Sequence, residues 1–324
     1  MRIGKLENSE LESLILSKFK RVRPESLTVP RVGEDCASLD LGGDLIVLSM
    51  DPITSAGDKS LGLLSVHVNC NDAICMGAEP VGLLVTLLLS PDYPTENIGH
   101  IADDLAAAAR VARVDILGGH TEFTDAVTRP ITCTSVVARM PRDRKLPGLK
   151  ADDDLVMTKS AALEGTAILA TEHADKLSTL SPALLDEAES YFSLLSVVPE
   201  GRIALENGVH AMHDVTEGGI LGAAWEICYA AGLGLVLDRD AIPVTEATRR
   251  IAAAAGIDPL RLLGSGSLLI GCPDGQDMMT ALRQAGIPAA VIGRVTEAGF
   301  RSTDGRAIDP PREDALYDAF AGQD

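Results

Sequence analysis

Apolar positions along the chain come in two kinds of run. Leu11, Leu14, Ile15 and Phe19 recur at helical spacing behind Ser9-Glu10-Leu11-Glu12, which has the form of a capping box. Leu45–Met50, Val81–Leu89, Val114–Leu117 and Ile131–Ala138 are short and nearly continuous, as buried strands are. Between them, Leu61–Met76 predicts a helix stopped by Gly77-Ala78-Glu79-Pro80, and Thr95 caps a second with Ile98, Ile101, Leu105 and Ala109 on one face. Pro24 to Pro30 reads as a loop.

The segment Pro141–Asp154 carries two prolines, a glycine and a run of charges, and is the expected linker. The alternation resumes beyond it. Strands are expected at Leu155–Thr158, Val209–Met212, Leu233–Leu237, Leu268–Cys272 and Ala289–Ile292. Helices are expected at Glu164–Glu172, Pro182–Leu195, Ile220–Ala231, Thr245–Ala255 and Gln276–Ala285. The pattern predicts two domains, residues 1–145 and 150–310, with a polar tail over 311–324. A length of 324 residues is enough for a sizeable core in each.

Composition narrows the function classes. With 28 basic and 47 acidic residues the formal charge is -19, which disfavours sequence-independent binding to nucleic acid and to anionic membranes. Apolar residues make up 46% of the chain, which excludes a disordered polymer despite that charge. No run is long enough to span a bilayer, and the first residues lack an apolar signal core, so the expected location is cytoplasmic. Cys36, Cys70, Cys75, Cys133, Cys228 and Cys272 are scattered without a CxxC pair and are expected to be mostly buried thiols.

One arrangement recurs: an acidic residue beside Gly or another small residue at the end of an apolar strand. It occurs at Gly33-Glu34-Asp35, Met50-Asp51, Gly118-Gly119-His120-Thr121-Glu122 and His213-Asp214-Val215-Thr216-Glu217-Gly218-Gly219. Asn71-Asp72 differs in lying within a predicted helix. Carboxylates at strand ends can converge on one crevice, and adjacent glycines let backbone approach phosphate. Together they describe a Mg2+–nucleoside triphosphate site, although each alone is ordinary turn chemistry. Lys159, after Leu155–Thr158, is a candidate phosphate contact or a solvated lysine, and His120 and His213 are candidate proton carriers. The GxxxxGK[ST], GxGxxG and HExxH signatures are missing, and Gly264-Ser265-Gly266-Ser267 precedes a strand and reads as a turn.

In order, Gly33–Ala37, Ser49–Thr54, Val68–Pro80, Gly118–Glu122 and Met212–Gly219 resemble the motifs of the aminoimidazole ribonucleotide synthetase (PurM-like) superfamily. That superfamily includes a purine cyclo-ligase, thiamine monophosphate kinase, selenophosphate synthetase and the hydrogenase maturation protein HypE. The resemblance implies an α+β, two-domain fold with a C-terminal α/β domain. It also implies a homodimer in which N-terminal strands form a barrel, with ATP and Mg2+ as cofactors. Asp35, Asp51, Asp72 and Asp214 match acidic metal or phosphate positions, and Glu122 substitutes where His120 replaces an expected acid. Gly33, Asn71, Gly118, Gly119, Thr121, Gly218 and Gly219 are the implied nucleotide contacts, with His120 and Lys159 as catalytic candidates.

Ala241-Ile242-Pro243-Val244 and Asp258-Pro259 look most like the hydrogenase maturation branch. That branch ends in a cysteine that is carbamoylated and dehydrated, whereas the sequence here ends Phe320-Ala321-Gly322-Gln323-Asp324. The expectation is therefore an ATP-dependent, HypE-like enzyme without that acceptor. The alternatives are a small-molecule kinase like thiamine monophosphate kinase, or a nucleotide-binding maturation scaffold with a partner protein.

Overall fold

A computed structural model of the chain describes residues 8–28, 30–32, 36–54, 56–311 and 313–321. The expected site residues Gly33 and Asp35 lie outside them. A short helix, α1 (Asn8–Leu14), comes first and buries no residue. The chain divides into two compact units. One comprises Arg21–Val29 with Asp35–Lys145; the other comprises Leu146–Asp324 with Met1–Lys20 and Pro30–Glu34. The division after Lys145 falls inside the expected linker. Grouping Met1–Lys20 with the second unit differs from the expected 1–145 domain.

The first unit holds β1 (Ala37–Leu39), β2 (Leu45–Ile53), α2 (Asp58–Cys75), β3 (Glu79–Leu89), α3 (Thr95–Ala112), β4 (Asp115–Phe123) and β5 (Ile131–Met140). These strands form a sheet ordered β1-β2-β5-β3-β4, antiparallel except for the parallel pair β3–β4. One face packs against helices, as the strict alternation in β2 and β5 shows. Val47, Ser49, Ile53, Thr132, Thr134, Val136 and Ala138 are buried. The other face leaves Met50 61% and Leu84 46% exposed in the single chain.

Helix α2 is buried along most of its length, against β2, β3, β5 and α3. Each fully buried Leu or Ile here, such as Leu61, Leu64 and Ile101, contributes roughly 1.5–3 kcal/mol relative to exposure. The polar side chains of α2 that share this burial therefore need partners within the protein.

The second unit holds β6 (Asp154–Thr158), α4 (Leu163–Glu172), α5 (Pro182–Ser190), α6 (Val198–Glu206), β7 (Ala211–Asp214) and α7 (Gly219–Ala230). It continues with β8 (Gly234–Leu237), α8 (Glu246–Ala255), β9 (Leu268–Cys272), α9 (Gly275–Gln284), β10 (Ala289–Thr296) and β11 (Phe300–Ser302). Its sheet runs β11-β8-β10-β6-β9-β7, and only the β11–β8 pair is parallel. One core surrounds α7, where Ile220, Leu221, Ala224 and Cys228 meet Leu155, Met157, Leu235 and Leu269. Another joins Leu163, Leu169, Leu177 and Ile251 to Phe320.

Two features depart from the sequence expectation. Helix α6 is not among the expected elements; Pro199 occupies its first turn, where its missing N–H costs nothing. The polar tail is also partly buried. Asp314 is 3% exposed, and Phe320 packs beside His173 with ring centroids 5.5 Å apart. Among the described residues no helix is long and apolar enough to cross a membrane.

Candidate functional site

In the first unit the site is built where β2 crosses α2. Ser49 and Asp51 share the helix-facing side of β2 because successive residues of a strand alternate faces. Asn69 and Asp72, three residues apart, share one side of α2. The Ser49 hydroxyl donates to Asp72 Oδ2 at 2.6 Å, and the Asp51 amide donates to Asn69 Oδ1 at 3.0 Å. Asn69 Nδ2 donates to the Ser65 carbonyl, and the Ser65 hydroxyl meets Thr132 Oγ1 at 2.6 Å. Asn69 and Asn71 are fully buried and Asp72 is 4% exposed.

This is a polar seam inside an apolar layer, and it includes the expected residues Asp51 and Asp72; Asn71, next to Asp72 on α2, is buried as well. Its negative character is felt by a neighbouring thiol. Cys70 is pushed up to about 12, first by burial and then by the charges of Asp72 and Glu79. Burial, then Asp51, raises Cys133.

Nothing in the sequence marks Ser49 and Asn69 as partners of these acids, apart from polar residues at the right period within apolar runs. Among the described residues, no group of three or more His, Cys, Asp or Glu side chains is placed to hold a metal ion. A Mg2+–nucleotide needs less, since Mg2+ commonly takes one or two carboxylates and completes its octahedron with phosphate oxygens and water. The Asp51–Asp72 pair fits that donor set.

His120 and Glu122 are placed elsewhere. The sequence pattern sets this motif at the end of the strand Val114–Leu117, whereas it lies within β4, an edge strand. Register sets His120 beside Thr86, Cys133 and Pro52, on the face opposite Asp51. Gly119 is aligned with Val85, Thr134 and Asp51 instead. His120 and Glu122 therefore do not share a face with Asp51, and the expected single cluster is not formed within the unit. They form their own exposed contact, Nε2 to Oε2 at 3.2 Å.

Gly118, Gly119 and Thr121 line a groove of about 340 Å³ between α3 and the β3–β4 pair, with Ile98, Ala102 and Leu105 opposite. Gly119 is required there by space as well as by its φ of +150°: a Cβ would lie 1.8 Å from the Val85 carbonyl oxygen. Its glycine thus has a structural reason that does not involve phosphate.

In the second unit Asp214 ends β7 and is 2% exposed, and His213 Nδ1 lies 2.6 Å from the Asp214 carbonyl oxygen. Gly218 and Gly219, both at positive φ, turn the chain into α7; a Cβ on Gly219 would meet the Leu260 carbonyl at 2.6 Å. The Gly218 amide donates to Asp314 Oδ2 at 2.7 Å. Asp314 also accepts from the amides of Leu263 and Leu316. Desolvation raises its pKa, and these amides oppose the rise.

Lys159, the other candidate of this unit, is enclosed by protein oxygens. Its ammonium donates to the carbonyls of Leu194, Ser196 and Gly266 at 2.8, 2.8 and 2.6 Å, and pairs with Glu200 Oε1 at 2.6 Å. Burial lowers its pKa, and Glu200 opposes that. An ammonium has three protons, so four protein oxygens exhaust its capacity and make it a structural clasp.

Sequence reasoning missed Glu164, which is buried in the first turn of α4 near Ser265, Glu217 and Asp314. Burial, the largest cause, pushes its pKa up to about 8. A lone acid within Ala161-Ala162-Leu163-Glu164-Gly165 was the available signal.

None of the six cysteines forms a disulfide; Cys36, Cys70, Cys228 and Cys272 are buried, and Cys75 and Cys133 are half-buried.

With fold and geometry in hand, comparison decides the family. The AIR synthase related protein N-terminal domain matches residues 33–140, and the corresponding C-terminal domain matches 150–304. The chain belongs to the AIR synthase-related family. The carbamoyl dehydratase HypE of Cupriavidus necator is 29% identical over 283 residues, covering 83% of this chain and 78% of that protein.

Solved structures share the fold of this AIR synthase-related chain. A HypE–HypF complex has a TM-score of 0.76 at 22% identity, covering 94% of this chain and 100% of that one. HypE in complex with ATP has a TM-score of 0.71 at 22% identity, with 97% of each chain covered. A ThiL complexed with AMPPCP and TMP has a TM-score of 0.75 at 16% identity, covering 97% and 98%. The two-domain PurM-like architecture is thereby established, and HypE-type hydrogenase maturation proteins are among its homologues.

Proposed function

We propose that the chain is an ATP- and Mg2+-dependent enzyme of the HypE type, which transfers the γ-phosphoryl group of ATP to a substrate oxygen. The carrying observation is the buried seam that presents Asp51 and Asp72 from adjoining elements. Asp51 and Asp72 would hold the cation against the triphosphate, with Asn71 beside them. The cation, when bound, neutralises charge on the phosphates. Attack of the substrate oxygen on the γ-phosphorus releases ADP and leaves a phosphorylated oxygen as the better leaving group.

Cys70, Cys228 and Cys272 are not the acceptor in this reading. Burial pushes the thiols of Cys70, Cys228 and Cys272 up to about 12, which leaves them protonated and poorly nucleophilic at neutral pH.

Calorimetric titration of ATP with Mg2+ into the protein should give saturable binding, weakened at least about tenfold in Asp51→Asn, the loss expected when a metal contact is removed. Absence of binding, or equal binding by both proteins, would defeat the assignment.

A homodimer completes the proposal. The open sheet face with Met50 and Leu84, and the unpaired edge of β4 with Leu117 and Phe123 about half exposed, are features that proteins ordinarily cover. His120 and Glu122 stand on that face and would reach a nucleotide only across such an interface, where they would serve as the proton-handling pair. Analytical ultracentrifugation should find twice the 34.0 kDa chain mass; a stable monomer at micromolar concentration would remove both the dimer and the role of His120.

The fold likeness to the ThiL complex supports a second reading, kinase action on a small molecule. ADP release that depends on an added phosphate acceptor would favour it over the HypE-type reading. Nucleotide binding with no turnover, together with a stable complex with a partner protein, would instead identify a maturation scaffold.

A further inference from the structure

We propose that Ser49 and Asn69 are positioning residues that hold the Asp51–Asp72 pair in the geometry a divalent cation requires. The inference rests on reading that pair as the cation site. Asp72 is buried on α2 and Asp51 is half-buried on β2, so their relative placement depends on how the strand is fastened to the helix. Two hydrogen bonds do this at the acids themselves. Ser49 commits Asp72 Oδ2 to the strand at 2.6 Å, which fixes the rotation of the carboxylate. Asn69 takes the Asp51 amide at 3.0 Å, which fixes the backbone from which the Asp51 side chain projects.

The chemistry suits the task. A hydroxyl that donates to the Asp72 carboxylate and a neutral amide that accepts from the Asp51 backbone N–H add no opposing charge, so the pair keeps its attraction for a cation. Asn69 is in turn held by its own bond to the Ser65 carbonyl, and Ser65 is anchored to the Leu61 carbonyl and to Thr132. The outer part of the seam therefore provides an internal control. Ser65 belongs to the same buried network, yet its hydroxyl meets the Leu61 carbonyl and Thr132 rather than the acids.

The test uses Mn2+ in place of Mg2+ on the full chain, with free Mn2+ measured by electron paramagnetic resonance with and without ATP, beside thermal melting. Ser49→Ala should weaken Mn2+ binding by about tenfold or more, the range typical of lost partners to metal ligands. Ser49→Cys keeps the volume but exchanges a strong donor for a weak one, and should lose affinity while remaining folded. Asn69→Ala should lose affinity as well. Ser65→Ala should melt earlier and bind Mn2+ as the parent does.

Parent-like Mn2+ binding in Ser49→Ala or in folded Ser49→Cys would overturn the positioning role and leave the cation site standing. The same follows if Ser65→Ala loses as much affinity as they do. If the parent itself binds neither Mn2+ nor Mn2+–ATP, the cation site and the positioning role fall together.

Discussion

In the first unit, Asp72 is held by a serine hydroxyl and the Asp51 amide by an asparagine side chain. In the second, Lys159 is enclosed by Glu200 and three carbonyls, and Asp314 gathers three backbone amides. Both regions bury charged groups next to glycine-containing motifs, and from sequence both looked like parts of a phosphate site. The hydrogen-bonding partners separate them. Where full charges and amides close the site, the protein has used the polar groups to hold its own loops. Where neutral dipoles fasten two acids, no opposing charge is added beside them, which is what the proposed cation site requires.

The contrast breaks most sharply at Lys159. Lys159→Met should cost about 3–5 kcal/mol in urea unfolding, because it leaves Glu200 buried without its counter-charge. A loss below about 1 kcal/mol would mean that the ion pair does not clasp the loops.

Glu164 comes next. Its pKa rises from 4.5 to about 8, so between those values the folded unit retains a proton that the unfolded chain has released. Its contribution is therefore greatest below about pH 4.5 and declines as pH rises towards 8, with a limiting slope of about 1.4 kcal/mol per pH unit. Glu164→Gln should flatten the fall in stability across that window. An unchanged slope would exclude Glu164 as its source.

The smallest stability effect should belong to Asp51→Asn, within about 1 kcal/mol by urea unfolding, because its side chain is half-buried and the amide bond to Asn69 survives. Together with lost nucleotide binding, that outcome would sharpen the contrast: acids in the first unit serve a ligand, and those in the second serve the fold. A large destabilisation would blur it.

Much of the fold was legible because apolar runs have the length and period of the elements they form. The helix over Leu61–Met76 and the strand over Val81–Leu89 coincide closely with α2 and β3. Strand β4 was harder to delimit. Gly118-Gly119 signals a turn locally, but the strand passes so close to Val85 that glycine is needed inside the sheet. Once that motif is a strand, two-residue alternation sends His120 and Glu122 to one face and Gly119 and Thr121 to the other. A strand ended at Leu117 imposes no such constraint and lets every acid converge.

The candidate site was legible in its acids and illegible in what holds them. Asp51 and Asp72 stand in recognisable motifs, whereas Ser49 and Asn69 are ordinary polar residues until β2 lies across α2. Lys159 shows the converse. Its place after a strand suggested an outward-reaching charge, but loops distant in sequence supply Leu194, Ser196, Glu200 and Gly266 around it.

Local pattern was enough for the order of helices and strands, the family motifs and the acidic balance, since each depends on residue type and spacing along the chain. Tertiary structure alone decided which acids share a face, which ammonium is consumed by the protein, and that Asp314 and Phe320 are buried. Those outcomes depend on strand register and on contacts between residues far apart in sequence, where a single bond distance distinguishes a ligand site from a closed clasp.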